Sequence, residues 1–263
     1  MDDQESHQGL SQRIAIIGAG AAGLSAAQAL KNKGYQHVTI FERSDRVGGK
    51  CCTVEIEGRN YELGAGIVAE DNSVVLRLAR EFNVSLERVP FGHSVKVDGQ
   101  TGRVLPKRSI KKTLALLREL PIYRKLIWKY RRAGKPGLSN LDDALCVPFS
   151  DFAKTHRVTN LMSELALFFT GFGYDYFERI PAVYVLKYYR WPTLKSFLGR
   201  NIYRLPGGIQ HLWTAVASAH DVRLNTTIIN IERSEVVQVT TSAGVEEFDL
   251  LIIASPLDEA LNY

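Results

Sequence analysis

The residues with the clearest chemical pattern in this sequence are three glycines and one acid near its start. Gly18, Gly20 and Gly23 stand as G-x-G-x-x-G directly after the apolar run 14–17, and an Ala-rich run follows them. A second apolar run then ends in Glu42. Gly18 allows a sharp turn, Gly20 lets a phosphate approach the backbone, and Gly23 lets a helix pack closely on a sheet.

The elements around these residues are the ones that this chemistry needs. The order is strand, tight turn, helix, strand and acid, and the N-terminus of the helix offers free N–H groups and a partial positive charge to an anion. Glu42 lies 19 residues beyond Gly23, near the spacing of about 20 at which a carboxylate accepts hydrogen bonds from a ribose diol. The same carboxylate would repel the extra phosphate of NADP. The sequence therefore predicts a dinucleotide site.

Two further stretches narrow the dinucleotide to FAD by resemblance. The run E-R-S-D-R-V-G-G-K at 42–50 and the run Y-E-L-G-A-G at 61–66 resemble the FAD-binding signature of the flavin amine oxidase superfamily, which includes amine oxidases and carotenoid desaturases. The resemblance also implies backbone contact of residue 228 with the adenine. The predicted cofactor-binding residues are Gly18, Gly20, Ala21, Ala22, Gly23, Glu42, Arg43, Gly48, Gly49, Lys50, Gly64, Ala65, Gly66 and Ile228.

Composition narrows the class of protein. The 263 residues are 45% hydrophobic and 23% charged, as in an ordinary globular chain of one to two domains. Three cysteines, two of them adjacent, do not form a disulfide framework, and no metal-ligand spacing is visible. The acidic, polar start is unlike a secretory signal, and the apolar runs are too short to span a bilayer. We expect a cytoplasmic protein without a metal.

The net charge of +5 comes from one segment. Residues 103–135 hold twelve Lys or Arg and one acid, so this segment carries +11 and the rest of the chain carries −6. The segment has no nucleic-acid recognition motif, so nucleic acid is not an expected partner. Two interpretations stay open for it: a basic amphipathic helix on an anionic membrane surface, or a solvated face of a cap domain. We expect the helix at 109–133 to break at Pro121, with its core face formed by Leu114, Leu117, Ile122, Leu126 and Tyr130.

The fold class predicted from these patterns is α/β, with a Rossmann-type FAD-binding domain that contains a parallel sheet and a β-meander. Strands are expected at 221–224, 227–233, 235–241 and 249–254, and a hairpin at Asp98-Gly99. A mainly helical, aromatic-rich substrate domain is inserted into the FAD-binding domain. The predicted organisation is a flexible tail at 1–12, a discontinuous FAD-binding domain at 12–70 and 201–263, and a substrate domain at 71–200.

A second, closer resemblance concerns the substrate. The segment at 169–174 and the segment at 180–188 look most like bacterial polyunsaturated fatty acid double-bond isomerases. By position, this resemblance places Phe172 and Phe197 on either side of an acyl chain, with Tyr174 nearby. Where that family has an arginine for the substrate carboxylate, this chain has His93 within F-G-H-S. The predicted substrate residues are Phe172, Phe197, Tyr174 and His93.

The resemblances lead to three alternatives for function. The first is a FAD-dependent oxidoreductase that abstracts hydride from an activated C–H of a small apolar or amine substrate, held about 3–3.5 Å from the reactive atom. The second is a FAD-dependent double-bond isomerase of polyunsaturated fatty acids. The third is a truncated, catalytically silent flavoprotein. In this resemblance, family members continue well beyond residue 263, so either the chain is a fragment or another chain completes the fold. No catalytic side chain can be assigned, since the flavin carries the chemistry.

Overall fold

The computed structural model has a mixed α/β fold with a parallel sheet, as the sequence predicted, and its residues group into two compact units. Unit 1 comprises residues 1–68, 72–88 and 203–263, and unit 2 comprises residues 69–71 and 89–202. The domain functions assigned above stay predictions. The described residues are 10–89, 109–134, 141–170, 172–198 and 201–263. Most of the predicted tail at 1–12, the Asp98-Gly99 hairpin and His93 lie outside them.

Unit 1 is built on a four-stranded parallel sheet. Its order is β12-β1-β2-β8, so the first strand of the chain lies beside one of the last. Ile14 pairs with Leu250 on one side of β1 and with Val38 on the other. The strands are β1 (Arg13–Ile17), β2 (His37–Phe41), β8 (Asp221–Arg223) and β12 (Leu250–Ile253).

Alternate residues of β1 pack on opposite faces of this sheet, as the two-residue period of a strand requires. Ile14 and Ile16 belong to a buried cluster with residues of three helices. Ala15 and Ile17 belong to a second cluster with residues of an antiparallel meander. Both faces of the sheet are therefore covered. The helices are α1 (Ala21–Asn32), α2 (Ser73–Glu81) and α8 (Ile209–Ala217), and the meander strands are β9 (Ile228–Arg233), β10 (Val237–Thr241) and β11 (Gly244–Phe248).

The meander contains one strand that the sequence pattern did not reveal. We expected strands at 227–233 and 235–241 and none at 244–248, yet β11 pairs antiparallel with β10 throughout. Its sequence, G-V-E-E-F, lacks apolar alternation: Phe248 is buried, Glu246 is half-buried and Glu247 is exposed. Pairing with β10 therefore decides the conformation of this segment, not its own hydrophobic pattern.

Two smaller strand groups remain among the described residues. The predicted strand pair around Gly58-Arg59 is a hairpin whose turn residues, Glu57 and Gly58, both have positive φ, as tight two-residue turns require. A second small sheet has the order β5-β7-β6, and a short helix follows β12. These elements are β3 (Thr53–Ile56), β4 (Arg59–Glu62), β5 (Val68–Ala69), β6 (Glu87–Arg88), β7 (Ile202–Arg204) and α9 (Leu257–Ala260).

Unit 2 is helical in its described part. Its core is one cluster rich in aromatic residues, including Tyr123, Phe149, Phe152 and Tyr189, all almost fully buried. Across all the described ranges, no helix is both long and apolar enough to cross a membrane. The helices are α3 (Ile110–Lys129), α4 (Phe149–Thr155), α5 (Thr159–Phe169), α6 (Ala182–Tyr188) and α7 (Trp191–Leu198), with 3-10 turns at Arg131–Gly134 and Asp143–Leu145.

Helix α3 differs from its prediction in two ways. It runs through Pro121 without a break, although an interior proline removes one backbone donor and crowds the carbonyl four residues earlier. Its buried side is also not the predicted one: Leu126 and Tyr130 are buried, but Leu114, Leu117 and Ile122 are exposed. The buried residues of the helix are instead Leu116, Glu119, Tyr123 and Leu126.

Candidate functional site

A cavity of about 740 Å³ opens in unit 1 where the parallel strands β1, β2 and β12 end. This is the edge of a parallel sheet at which α/β proteins bind ligands, because the turns after neighbouring strands meet there. The cavity is lined by Gly18, Gly20, Ala21, Ala22, Glu42, Arg43, Gly48, Gly49, Lys50, Thr226, Thr227, Ile228, Ser255, Pro256 and neighbouring residues.

Gly18 and Gly23 make the first turn possible by their lack of a side chain. Gly18 has a φ of +103°, and a Cβ there would lie 3.1 Å from the backbone nitrogen of Ser255. A Cβ on Gly23 would lie 2.0 Å from the carbonyl oxygen of Gly18, which no packing can accommodate. The turn from β1 into α1 is therefore closed by backbone against backbone, and only glycine fits at both positions.

Gly20 plays a different part, because it faces a second glycine loop. Gly20 forms a parallel bridge with Gly48, and the Gly48 N–H donates to the carbonyl of Ala19 at 2.9 Å. A Cβ built on Gly20 would have the Cα of Gly49, at 3.9 Å, as its one neighbour within 4 Å. Gly48 and Gly49 have positive φ angles of +101° and +55°. The two loops thus form a cradle whose centre is open space beside the start of α1.

Glu42 lies at the end of β2 with both carboxylate oxygens engaged by backbone. One oxygen accepts the N–H of Ala19 at 2.9 Å, and the other accepts the N–H of Ser44 at 2.9 Å. Each carboxylate oxygen can accept a second hydrogen bond, and Glu42 lines the cavity. The side chain is thus fixed against the glycine turn and keeps capacity for a diol.

Electrostatics at the cavity favour an anion at one end. Gly20 is the N-cap of α1, and the first turn of this helix has no acidic residue, so its free N–H groups and dipole are not neutralised there. Arg46 donates to the carbonyl of Gly49 at 3.0 Å, and Arg43 is ion-paired with Glu259. Burial raises the pKa of the Cys51 thiol, so this cavity-lining group stays uncharged near neutral pH.

The structure brings most of the predicted cofactor residues together. Gly23, Gly64, Ala65 and Gly66 do not line the cavity. Gly23 packs against the carbonyl of Gly18 inside the turn. A Cβ on Gly64 would lie 1.8 Å from the carbonyl oxygen of Lys50. Their cofactor-binding roles stay predictions. The predicted residues that do line it are Gly18, Gly20, Ala21, Ala22, Glu42, Arg43, Gly48, Gly49, Lys50 and Ile228.

Sequence reasoning missed a second wall of the cavity. This wall follows β8 and β12, where Ala254 donates to the carbonyl of Ile17 at 2.8 Å and Thr226 donates to the carbonyl of Glu42 at 2.8 Å. The signal that could have identified it is the predicted strand 249–254, because turns after parallel neighbours share one sheet edge. The missed residues are Thr226, Thr227, Ala254, Ser255, Pro256, Glu259, Asn262 and Tyr263.

The predicted substrate residues that the structure describes lie in unit 2. Tyr174 is half exposed and contacts Phe169 and Tyr188, at ring distances of 5.1 Å and 5.0 Å. Phe197 lies 6.2 Å from the ring of Tyr189. Phe172 is exposed. Tyr174 and Phe197 therefore belong to the margin of one aromatic cluster, and their role toward a substrate stays a prediction.

Parallel strands, a glycine turn at a helix N-terminus and an acid at the end of the second strand together define a dinucleotide-binding α/β protein. Residues 21–262 match the family described as flavin containing amine oxidoreductase. The chain belongs to this family, and the cofactor of the family is FAD. The cradle fits this cofactor, because the space that a Cβ on Gly20 would fill is the space that a pyrophosphate needs.

Known proteins similar to this chain include both oxidoreductases and an isomerase. The solved CLA-producing fatty acid isomerase from P. acnes is 28% identical, with a TM-score of 0.82 over 96% of this chain and 60% of that one. Solved putrescine oxidase, at 23% identity and a TM-score of 0.75 over 94% and 58% of the chains, shares the fold. The FAD-dependent oxidoreductase dpchF of Colletotrichum higginsianum is 26% identical over 87% of this chain and 50% of its own length. The chain spans about half the length of the curated relatives it matches.

Proposed function

We propose that this chain provides the FAD-binding part of an oxidoreductase that abstracts hydride from an activated C–H of a small apolar or amine substrate. The observation that carries the proposal is the glycine cradle beside the N-terminus of α1, with Glu42 on the wall of the same cavity. The family match over residues 21–262 supports flavin as the bound group.

Each wall of the cavity has a definite task in this proposal. The backbone of Gly20 and the first N–H groups of α1 hold the pyrophosphate, and the Glu42 carboxylate accepts from the ribose diol. In this proposal the backbone of Ile228, which lines the cavity at the start of β9, contacts the adenine. The bound FAD supplies the hydride-accepting chemistry, so the protein's contribution is to bind, to orient and to exclude water.

The aromatic cluster of unit 2 supports an apolar substrate. The pKa of Tyr188 is raised above its ordinary value, mainly by burial and to a lesser extent by the nearby Tyr174 and Asp71. Burial likewise raises the pKa of Tyr189. Both phenols therefore stay neutral at physiological pH, and Tyr174 and Phe197 adjoin them. The more exposed rings at the margin of this core, such as Tyr174, favour hydrocarbon over strongly charged groups.

A second candidate function is double-bond isomerisation of a polyunsaturated fatty acid. The observation that favours it is the likeness, at 28% identity and over 96% of this chain, to a solved fatty acid isomerase. An isomerase returns the hydride to another carbon of the same substrate, whereas an oxidase passes the electrons to oxygen. The two candidates therefore predict different products from the same first step.

The first experiment measures whether the purified chain holds FAD. We expect flavin absorbance bands that survive gel filtration, and we expect Glu42→Gln to weaken FAD binding at least tenfold, since a charged hydrogen bond contributes about 1.5–3 kcal/mol. Titration of the chain with FAD, followed by flavin fluorescence, gives the affinity. The matched control is Glu55→Gln, which makes the same carboxylate-to-amide change at an exposed position of β3.

Loss of binding in both variants, or in neither, would contradict the role of Glu42. A chain that takes up no FAD even after incubation would instead require the remainder of the longer protein, or another chain, to complete the site.

Substrate screening then separates the two candidate reactions. Peroxide formation with amine substrates supports the oxidase, and an anaerobic rise in conjugated-diene absorbance with polyunsaturated fatty acids supports the isomerase.

A further inference from the structure

Helix α3 has an apolar stripe on the side opposite to its buried face. Its members recur at helical spacing, so they lie along one line of the helix surface. Their exposed fractions are large: 82% for Ile110, 49% for Leu114, 59% for Leu117 and 70% for Trp128. Pro121 lies on the same line and is also exposed. A helix needs one apolar face to pack on its core, so packing among the described residues does not explain this second face. The exposed stripe is Ile110, Leu114, Leu117, Pro121 and Trp128.

Basic side chains flank the exposed stripe. Arg118 and Lys125 lie on one side of it, Arg124 lies on the other, and all three are exposed. The one acid of the helix, Glu119, is on the opposite face, where its carboxylate accepts from Leu161 N at 2.7 Å. Lys112, also turned away from the stripe, pairs with Glu164 at 3.3 Å. The α3 surface around the stripe is therefore apolar and positive at once.

A shallow cavity of about 570 Å³ adjoins the stripe within unit 2. It is lined by apolar residues such as Leu117 and Trp128, by the cation Arg124, and by Trp191 of α7. The Arg124 guanidinium lies over the Trp191 ring at 5.3 Å, and the Arg131 guanidinium lies over the Trp128 ring at 5.0 Å. Such contacts hold the cations beside apolar surface instead of extended into water.

We propose that the exposed stripe of α3 docks this protein on an anionic lipid bilayer. Apolar side chains would enter the boundary between headgroups and acyl chains, while the flanking Lys and Arg contact anionic headgroups. Trp128 has the amphipathic ring that favours this depth. A second copy of the chain fits the surface less well, because two such faces would bring like charges together.

The test measures flotation of the FAD-loaded chain with vesicles. We expect binding to vesicles of phosphatidylcholine with phosphatidylglycerol, weaker binding to phosphatidylcholine alone, and loss of binding as salt is raised. Arg118→Glu with Lys125→Glu should lower the partition onto anionic vesicles roughly thirtyfold or more, at about 1 kcal/mol for each basic residue. The control pair Lys33→Glu and Arg59→Glu makes the same change of net charge on unit 1 and should retain binding better.

A second pair of variants tests the apolar part. Leu117→Ser with Trp128→Ser should lower vesicle binding at least tenfold, whereas Ile56→Ser with Val245→Ser, exposed apolar residues of unit 1, should not. Far-UV circular dichroism and the thermal midpoint establish that each variant is folded. Equal binding by stripe and control variants would overturn the proposal. So would a concentration-dependent dimer, seen by sedimentation, that Leu117→Ser with Trp128→Ser abolishes while vesicle binding is unchanged.

Discussion

The two units of this protein are shaped by opposite means. In unit 1 the cavity is shaped by absent side chains: backbone meets backbone at Gly18, Gly23 and Gly48, and the polar wall is fixed by main-chain donors to Glu42. In unit 2 the core is shaped by large side chains, with aromatic rings 4.3–6.4 Å apart. A site made by backbone has a fixed residue spacing, whereas a packed aromatic cluster has none.

The largest effect should come from adding one methyl group to the backbone site. Gly23→Ala places a Cβ where the Gly18 carbonyl oxygen already lies, so the turn must move and unit 1 should lose about 3 kcal/mol or more of its free energy of unfolding. Chemical denaturation followed by circular dichroism measures the loss.

Gly20→Ala is the matched control for that change. The φ of Gly20 is −75° and the space beside it is open, so its unfolding free energy should be unchanged or slightly higher. FAD binding by Gly20→Ala should nevertheless weaken at least tenfold. Equal losses of stability in the two variants would contradict the claim that backbone contact at Gly23 closes the turn.

The corresponding change in unit 2 removes a buried side chain. Glu119 of α3 accepts from Asn160 Nδ2 at 2.7 Å and from Leu161 N at 2.7 Å, at the start of α5. Glu119→Ala leaves these donors unsatisfied and should cost about 2–3 kcal/mol. Glu119→Gln should recover part of the loss, and the exposed Glu178→Ala should stay within about 0.5 kcal/mol of the parent. Denaturation curves of the three variants give the comparison, and an unchanged Glu119→Ala would contradict the bridging role of this carboxylate.

The smallest effect is in the pH dependence of stability. In unit 1 the pKa of His220 is lowered mainly by burial and secondly by the positive charge of Lys31. In unit 2 the pKa of His156 is lowered mainly by burial and secondly by the positive charge of Lys129. Because the folded state favours the neutral rings, the unfolded chain binds more protons below about pH 6.5, and stability should fall as pH falls through this range. His220→Gln and His156→Gln should each flatten the slope of the unfolding midpoint between neutral and acidic pH. A slope that neither variant changes would assign the acid sensitivity to other groups.

Residue spacing predicts the local part of the fold, whereas strand pairings between distant segments carry no local pattern. The unit from β1 to Glu42 is short in sequence, so spacing alone defines it. The pairing of β12 with β1 joins distant segments, and the wall at Ser255 that it creates carries no local motif. Periodicity predicted helix α3 but not its buried side, because Leu116 and Leu117 both have apolar neighbours at helical spacing and only tertiary packing distinguishes them.

The pairing of β12 with β1 also has a consequence for the order of events during synthesis. Ile14 and Ile17 find their partners, Leu250 and Ile253, only after nearly the whole described chain has been made. At about 5–20 residues per second, that interval is on the order of ten seconds or longer. Until then β1 presents one unpaired apolar edge, and the turn at Gly18 lacks its wall. The wall that β12 adds to the cofactor cradle is therefore completed only after residue 253 has been made.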